Sequence, residues 1–488
     1  MSFLGTKTLS KSSIGQRVRW LAGSLGLLIA CHDAAIQAEE PLPGLRVSEN
    51  HRSLETVEGK PFFYLGDTAW EIFHRLTIEE AEYYLNDRAS KGFTVIQAVA
   101  LAEFDGLNEP NAYGHRPLVE RDPSRPAIVD GPNNDYWDHV DAIIDLANQK
   151  GLRVGLLPTW GDKWNVKWGK GPLVFTPDNA ESYGRWMGAR YKNRSVIWIL
   201  GGDRPVETPE HRKILENMAS GIRAATEGRQ LVTLHTSGGT GSSSYFPDAS
   251  WIDFHMRQNG HGREYTDAYA KTLDDYRRTP TKPVVDGEPI YEDHPISFKP
   301  DKMGYSLASD VRRPLYWDLF NGACGHTYGH HAVWQFWTPQ RQPINGPLMP
   351  WKEALQQPGA GQMRHGRKLM ESRPMRDRIP EERILVSEDV PWNVPGSGAY
   401  RFVACRDRQG TYAMVYVPVG RRFRVALPFM QCEEVQAWWF DPRTGTSESI
   451  GRRKRERELN FTPPEPGEDR DWILVIDDPS CNYPPPGQ

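Results

Sequence analysis

Short apolar runs rich in β-branched residues recur along the first three quarters of the chain, separated by longer stretches with apolar positions every three or four residues. That alternation predicts parallel strands joined by helical crossovers. Eight strands can be placed, over 61–65, 94–99, 153–157, 196–200, 231–234, 251–254, 283–285 and 323–327, and eight is the number that closes a (β/α)8 barrel. The intervening helices carry their own start signals. Thr77 followed by Glu80 is a capping box, in which hydroxyl and carboxylate satisfy the first free N–H groups, and Gly92 ends that helix. Further helices are expected over 135–149, 177–191, 209–225, 265–276 and 307–320, whereas the Gly/Ser-rich crossover 237–244 predicts little helix after strand five.

From about Pro374 the pattern changes to alternating strands over 400–405, 412–417, 425–427, 435–440 and 472–476, punctuated by turns at Gln409-Gly410 and Asp441-Pro442-Arg443-Thr444-Gly445. This predicts an antiparallel β-sandwich of roughly 100 residues. The tail Pro484-Pro485-Pro486 is expected to fray. The basic run Arg452 to Arg457, interleaved with Glu456, reads as a solvated hairpin tip. The resulting domain organisation is 1–38 as an export segment and linker, 39–373 as the barrel and 374–488 as the sandwich.

Before Asp33 there is no acidic residue; Lys7, Lys11, Arg17 and Arg19 precede an apolar stretch from Trp20 to Ala30. That is the layout of an export signal. Leu28-Ile29-Ala30-Cys31 resembles the bacterial lipobox, so one expectation is a periplasmic or cell-surface lipoprotein attached to the membrane through lipidated Cys31. The other is ordinary cleavage near Ala38 and secretion. A mean hydropathy of −0.62 excludes a multi-span membrane protein. Net charge −4 offers no field for a nucleic-acid backbone, which argues against such a partner. Five scattered cysteines form no CxxC pair; a Cys405–Cys432 bridge in the last domain is one possible pairing.

In a barrel of this kind the chemistry sits just beyond the C-terminal ends of the strands. The residues found there are Asp67 and Trp70; Gln97 and Glu103; Trp160, Asp162 and Trp164; Asp203; His235; His255, Gln258 and His261; Glu288 and Tyr291; and His330 and Trp334. Carboxylates, imidazoles and aromatic rings on one rim suit a carbohydrate better than a phosphate, and the 17 Trp supply faces for sugar rings. Glycoside hydrolysis needs two carboxyl groups flanking the scissile bond. Asp203 and Glu288, after strands four and seven, fit that requirement; the alternatives are a helix cap for Asp203 and an ion pair with Arg257 or Arg204 for Glu288. The remaining rim residues, Asp67, Trp70, Gln97, Glu103, Trp160, His235, His255, Gln258, His261, Tyr291, His330 and Trp334, are candidate substrate-binding groups, with Asp67 equally able to cap a turn. No HExxH or His-x-His spacing calls for a metal, and no motif calls for a cofactor.

Phe63-Tyr64-Leu65-Gly66-Asp67-Thr68-Ala69-Trp70, Trp198-Ile199-Leu200-Gly201-Gly202-Asp203-Arg204, Gln258-Asn259-Gly260-His261-Gly262, Asp286-Gly287-Glu288-Pro289-Ile290-Tyr291-Glu292 and Tyr328-Gly329-His330-His331-Ala332-Val333-Trp334-Gln335 resemble the apiosidase-like family, glycoside hydrolase family 140. The resemblance spans about Arg46 to Ser372. It implies a (β/α)8 barrel and a retaining glycosidase that releases apiose-linked side chains from pectin, with Asp203 as acid/base and Glu288 as nucleophile. Ala437 to Gly445 resembles a domain described as collagen-binding in a collagenase; lacking a zinc-protease signature, the chain is expected to use it for packing or glycan binding. A non-catalytic glycan-binding or adhesion protein on the same scaffold is the competing reading, and a metal-dependent hydrolase is a third. The sequence leaves the sugar, its linkage and the oligomeric state open.

Overall fold

The computed structural model describes residues 41–262, 268–388, 397–467 and 469–488. The export segment with Cys31, and the start of the helix expected from 265, lie outside the described residues. Among those described, no helix is long and apolar enough to cross a membrane.

The barrel strands are β1 (Tyr64–Thr68), β2 (Val95–Val99), β3 (Arg153–Leu157), β4 (Val196–Gly201), β5 (Val232–His235), β6 (His255–Gln258), β7 (Val284–Glu288) and β8 (Gly325–Tyr328). They run parallel in the order β5-β4-β3-β2-β1-β8-β7-β6, with a short antiparallel addition at Thr240–Gly241 on β6. Both faces of the wall are buried, so the strands read as continuous apolar runs, and alternation sorts them. Val95, Val99, Ile197 and Ile199 fill the interior, while Ile96, Ala98, Trp198 and Leu200 pack outward against the helices. Leu45, Leu54 and Phe62, from a three-stranded antiparallel flap over Leu45–Val47, Leu54–Thr56 and Pro61–Phe62, join the interior cluster.

Between β5 and β6 the wall is bridged by side chains as well as backbone, and the Thr233 hydroxyl donates to the Phe254 carbonyl at 2.6 Å. Asp253 donates its N–H to the Val232 carbonyl at 2.8 Å and accepts the Val232 N–H on its carboxylate at 2.7 Å. This explains why strand six forms at 255–258 instead of the expected 251–254. Asp253 is committed to its neighbour, and Arg223 holds its carboxylate at 2.7 Å, so the apolar run before it is only the approach to the strand.

Thr77 caps the helix Ile78–Ser90 as its sequence requires, with Glu80 closing the box. Helices Pro177–Tyr191 and Pro209–Thr226 touch backbone to backbone: a Cβ on Gly184 would stand 2.3 Å from the Met218 carbonyl oxygen. The helix beyond β7, Ala308–Phe320, presents Tyr316 and Trp317 to the second domain.

That domain has a six-stranded antiparallel sheet, in the order 378–380, 403–407, 412–417, 472–477, 434–441, 446–454, and a three-stranded one of 385–388, 423–425, 459–461. Every residue of Tyr412–Val417 is buried, because the large sheet is covered on both sides. Ala413, Val415 and Val417 face the small sheet; Tyr412, Met414 and Tyr416 face the barrel. Two bidentate pairs tie the halves together, Arg312 with Asp471 at 3.1 and 2.7 Å and Arg373 with Asp477 at 2.9 and 2.7 Å.

Three expectations for this domain are corrected. Cys405 and Cys432 are free, since Cys405 faces the barrel while half-buried Cys432 packs against the core between the sheets. Arg452 to Lys454 lie on the edge strand Thr446–Lys454 and not at a hairpin tip; charged side chains there keep another sheet from adding to the edge. The proline tail does not fray, as Tyr483 meets Thr411 at 2.7 Å and Pro486 is buried.

Candidate active site

A cavity of about 440 Å3 opens at the C-terminal mouth of the barrel, walled by Trp70, Glu103, Trp160, Trp168, Asp203, Gln258, His261, Glu288, Tyr291 and Trp334 among others. Its floor is aromatic: Trp70 and Trp160 are almost wholly buried with ring centroids 5.3 Å apart. Gly238, in contrast, faces the cavity with no heavy atom within 4 Å of where a Cβ would stand.

Asp203 is delivered by a sharp exit from β4. Gly201, Gly202 and Asp203 all take positive φ, at 94°, 97° and 49°. A side chain at Gly201 would fall 2.1 Å from the His235 carbonyl oxygen, so only glycine lets the chain pass there. Asp tolerates the left-handed region better than most residues, which suits it to the third position. Glu288 ends β7. Its N–H donates to Asp286 Oδ1 at 3.2 Å, and the carbonyl before it, that of Gly287, accepts from Gln97 Nε2 at 2.8 Å.

His235 joins the two carboxyl residues. Its Nδ1 accepts the Asp203 backbone N–H at 3.0 Å, which leaves the ring proton of the neutral imidazole on Nε2. That nitrogen stands 2.8 Å from Glu288 Oε2, in ion-pair range though off the axis of a well-formed hydrogen bond. On the other oxygen, Oε1, His261 Nε2 approaches to 3.2 Å. The two carboxyl groups are pushed apart as a result. Burial raises the Glu288 carboxyl, but its contacts with His235 and His261 outweigh burial and hold it well below the usual carboxylate range. Asp203 is raised, first by burial and then by the Glu288 charge, against weaker pulls from Trp168, Arg204 and His235. The cavity thus sets an ionised carboxylate beside a carboxyl that favours its proton.

Glu103 adds a third acidic group. Burial, then the charges of Glu71 and Asp203, push it up to about 8. Polar atoms of three wall residues, Trp160 Nε1, Gln258 Oε1 and His261 Nδ1, are buried without a partner among the described residues. Orphaned donors and acceptors around one aromatic cavity are what a ligand dense in hydroxyls would satisfy.

Of the residues anticipated at the mouth, Trp70, Glu103, Trp160, Asp203, Gln258, His261, Glu288, Tyr291 and Trp334 line this cavity. His235 and Gln97 stand behind it and hold the carboxyl residues in place. Three sit elsewhere. Asp67 is fully buried, accepting from Arg88 Nε at 2.6 Å and from the Tyr84 hydroxyl, and so pins a helix to the barrel. His255 lies at the start of its displaced strand, 3.0 Å from the Ser242 hydroxyl, and burial lowers it to about 4. His330 is buried between the Ala332 N–H and Asp293, at 3.1 and 3.2 Å. Neither alternative for the carboxyl pair holds. Asp203 does not cap the next helix, whose cap is Thr208, and Glu288 pairs with imidazoles while Arg257 pairs with Asp275.

Trp168, Phe104, His294 and Phe298 complete the wall without having been anticipated. The spacing Trp160, Trp164, Trp168 was the available signal for the first; of the three, Trp164 turns inward and donates to the Gly201 carbonyl at 3.1 Å. A possible cation-holding group, Asp286, Asp318 and His326, is wholly buried behind β7. All four of its carboxylate oxygens already accept a hydrogen bond, from Glu288 N–H, Asn259, Thr272 and His326. Burial pushes both aspartates to about 7, the state of a pair that keeps a proton.

Residues 48–377 match the family described as apiosidase-like, catalytic domain, and residues 379–477 match one described as a collagen-binding domain of a collagenase. A solved structure described as a glycoside hydrolase is 32% identical, with 90% of this chain and 97% of that chain covered and a TM-score of 0.81. A glycoside hydrolase family 5 structure from Bacteroides vulgatus is 30% identical, with 90% and 93% covered and the same TM-score of 0.81. Comparison with curated protein sequences returns no match. With more than half its length matched by that catalytic domain, the chain belongs to the apiosidase-like family.

Proposed function

We propose that this protein is a retaining glycoside hydrolase acting on a plant or algal polysaccharide or its side chains, apiosidase-like on pectin, with Asp203 as acid/base and Glu288 as nucleophile. The observation that carries the reading is the opposed perturbation of two carboxyl groups held by one imidazole, Asp203 raised and Glu288 lowered. Pairs driven apart in this way separate the acid from the nucleophile. In the first step Glu288 attacks the anomeric carbon as Asp203 gives its proton to the departing oxygen. In the second, Asp203 takes a proton from water, which displaces Glu288 from the sugar. Aromatic floor and orphaned polar atoms support a sugar as the bound ligand.

Screening plant and algal polysaccharides by reducing-sugar release and product mass supplies the substrate. The two roles then separate by substitution. Asp203→Asn should still glycosylate Glu288 from a substrate with a good leaving group, and azide should restore turnover in place of the missing base. Glu288→Gln should lose on the order of 10⁴-fold in turnover while retaining binding. Because Glu288 is lowered and Asp203 raised, kcat/KM should hold on the acid side and fall as pH climbs through the Asp203 pKa. Near-normal turnover by Glu288→Gln on a confirmed substrate would contradict the assignment.

A further inference from the structure

Trp168 lies on the rim 58% exposed, yet its indole is held at its nitrogen and over its ring. Its Nε1 donates to Asp203 Oδ2 at 2.9 Å, and the guanidinium carbon of fully buried Arg204 sits 4.7 Å from its ring centroid. Arg204 Nη1 reaches the same carboxylate oxygen at 3.2 Å and the Asp203 carbonyl at 2.7 Å. The turn that carries the ring is closed by Gly169 N–H to the Val166 carbonyl at 2.6 Å, and a Cβ on Gly169 would stand 2.3 Å from the Asp162 Cβ. That packing fixes the turn on which the ring is carried.

An indole N–H and a guanidinium donate and never accept. With both directed at Oδ2, a proton on Asp203 belongs on Oδ1. A glycosidic oxygen that receives this proton lies beside Asp203, and the exposed indole of Trp168, bonded to the same carboxyl group, is at hand for the group departing on that oxygen. We propose that Trp168 is a positioning residue for the acid, its N–H reserving Oδ2 so that Oδ1 carries the catalytic proton, while its exposed face supports the leaving group. This rests on the assignment of Asp203 as acid. Without the indole the proton can occupy either oxygen, and the cost falls on substrates whose leaving group needs it.

The test uses the full chain with 4-nitrophenyl and methyl apiosides and with Trp168→Phe and Trp168→Ala. For Trp168→Phe, which keeps a ring and loses the donor, kcat/KM on the methyl glycoside should drop about tenfold, with little change on the 4-nitrophenyl glycoside, whose leaving group departs unaided. Trp168→Ala should in addition raise KM for an oligosaccharide while leaving KM for the methyl glycoside unaltered. Equal losses on both probes, or none on either, would overturn the proposal. A readout free of turnover is the difference in Trp emission between wild type and Trp168→Phe, followed across pH. That difference should titrate with Asp203 and become flat in an Asp203→Asn background; a flat response in the wild type itself would also overturn the pairing. Wild type inactive on both apiosides but showing the titration would sink apiose as the substrate and leave the indole–carboxylate contact standing.

Discussion

Replacing Asp471 by Asn tests whether the sandwich is a structural half of this molecule or an appendage. Asp471 and Arg312 are buried to 3% and 4% exposure and share two hydrogen bonds, and the Tyr416 hydroxyl adds a third to the carboxylate at 3.2 Å. With asparagine in its place one oxygen can still accept from Arg312 while the amide NH2 faces the other guanidinium N–H, Nη1 keeps Gln362 at 2.7 Å, and the buried charge loses its counter-ion. Removing one member of a buried pair typically costs about 3 to 5 kcal/mol, whereas exchanging both for apolar residues of similar volume is close to neutral. Chemical denaturation followed by Trp fluorescence and circular dichroism should therefore show Asp471→Asn destabilised by that amount, and Arg312→Met with Asp471→Leu much less so. If the sandwich leaves first, the loss appears in the first transition. A cost below about 1 kcal/mol, the level of an exposed pair, would refute the reasoning.

Asp67→Asn is expected to lower the melting temperature and leave KM unchanged, since Asp67 meets Arg88 and Tyr84 and not the cavity; a raised KM at unchanged stability would return it to the substrate. For Glu103, the fold holds the proton to about 8 against 4.5 for an ordinary glutamate, so its contribution to stability is present below 4.5 and is lost as pH rises to 8. Glu103→Gln, permanently neutral, should flatten that part of the stability curve in melting experiments across the interval, and should keep activity at neutral pH if the wild-type group works in its protonated form.

Strands were legible because a wall buried on both faces needs unbroken apolar runs. The exception teaches the limit. His255-Met256-Arg257-Gln258 is strand six although three of its residues are polar, since Ser242 and Asp275 give partners to His255 Nδ1 and Arg257 Nη1 from elsewhere in the chain. Compensation between distant residues leaves no local pattern, and the apolar Trp251 to Phe254 is the more strand-like run. The same reason hid the role of Asp67, whose partner Arg88 arrives 21 residues later on a helix. Asp203 and Glu288 were legible from their place at the C-terminal ends of two apolar runs. His235 between them was readable only as a rim residue, because nothing local shows that one ring nitrogen meets a backbone N–H and the other a carboxylate.

The bare wall at Gly238 has a consequence for how such a pocket diverges. Its volume on that side is set by a side chain that is missing, in a turn tied to β6 through the neighbouring Gly239 N–H on the Gln258 carbonyl at 2.8 Å, and its φ demands no glycine. Replacement by alanine, serine or something bulkier would meet no neighbouring atom at its Cβ and would leave Asp203 and Glu288 as they stand. Narrowing the entrance by single steps there is a change selection can try without first remaking the scaffold. Relatives with the same two carboxyl groups can thus part company over the breadth of sugar they admit.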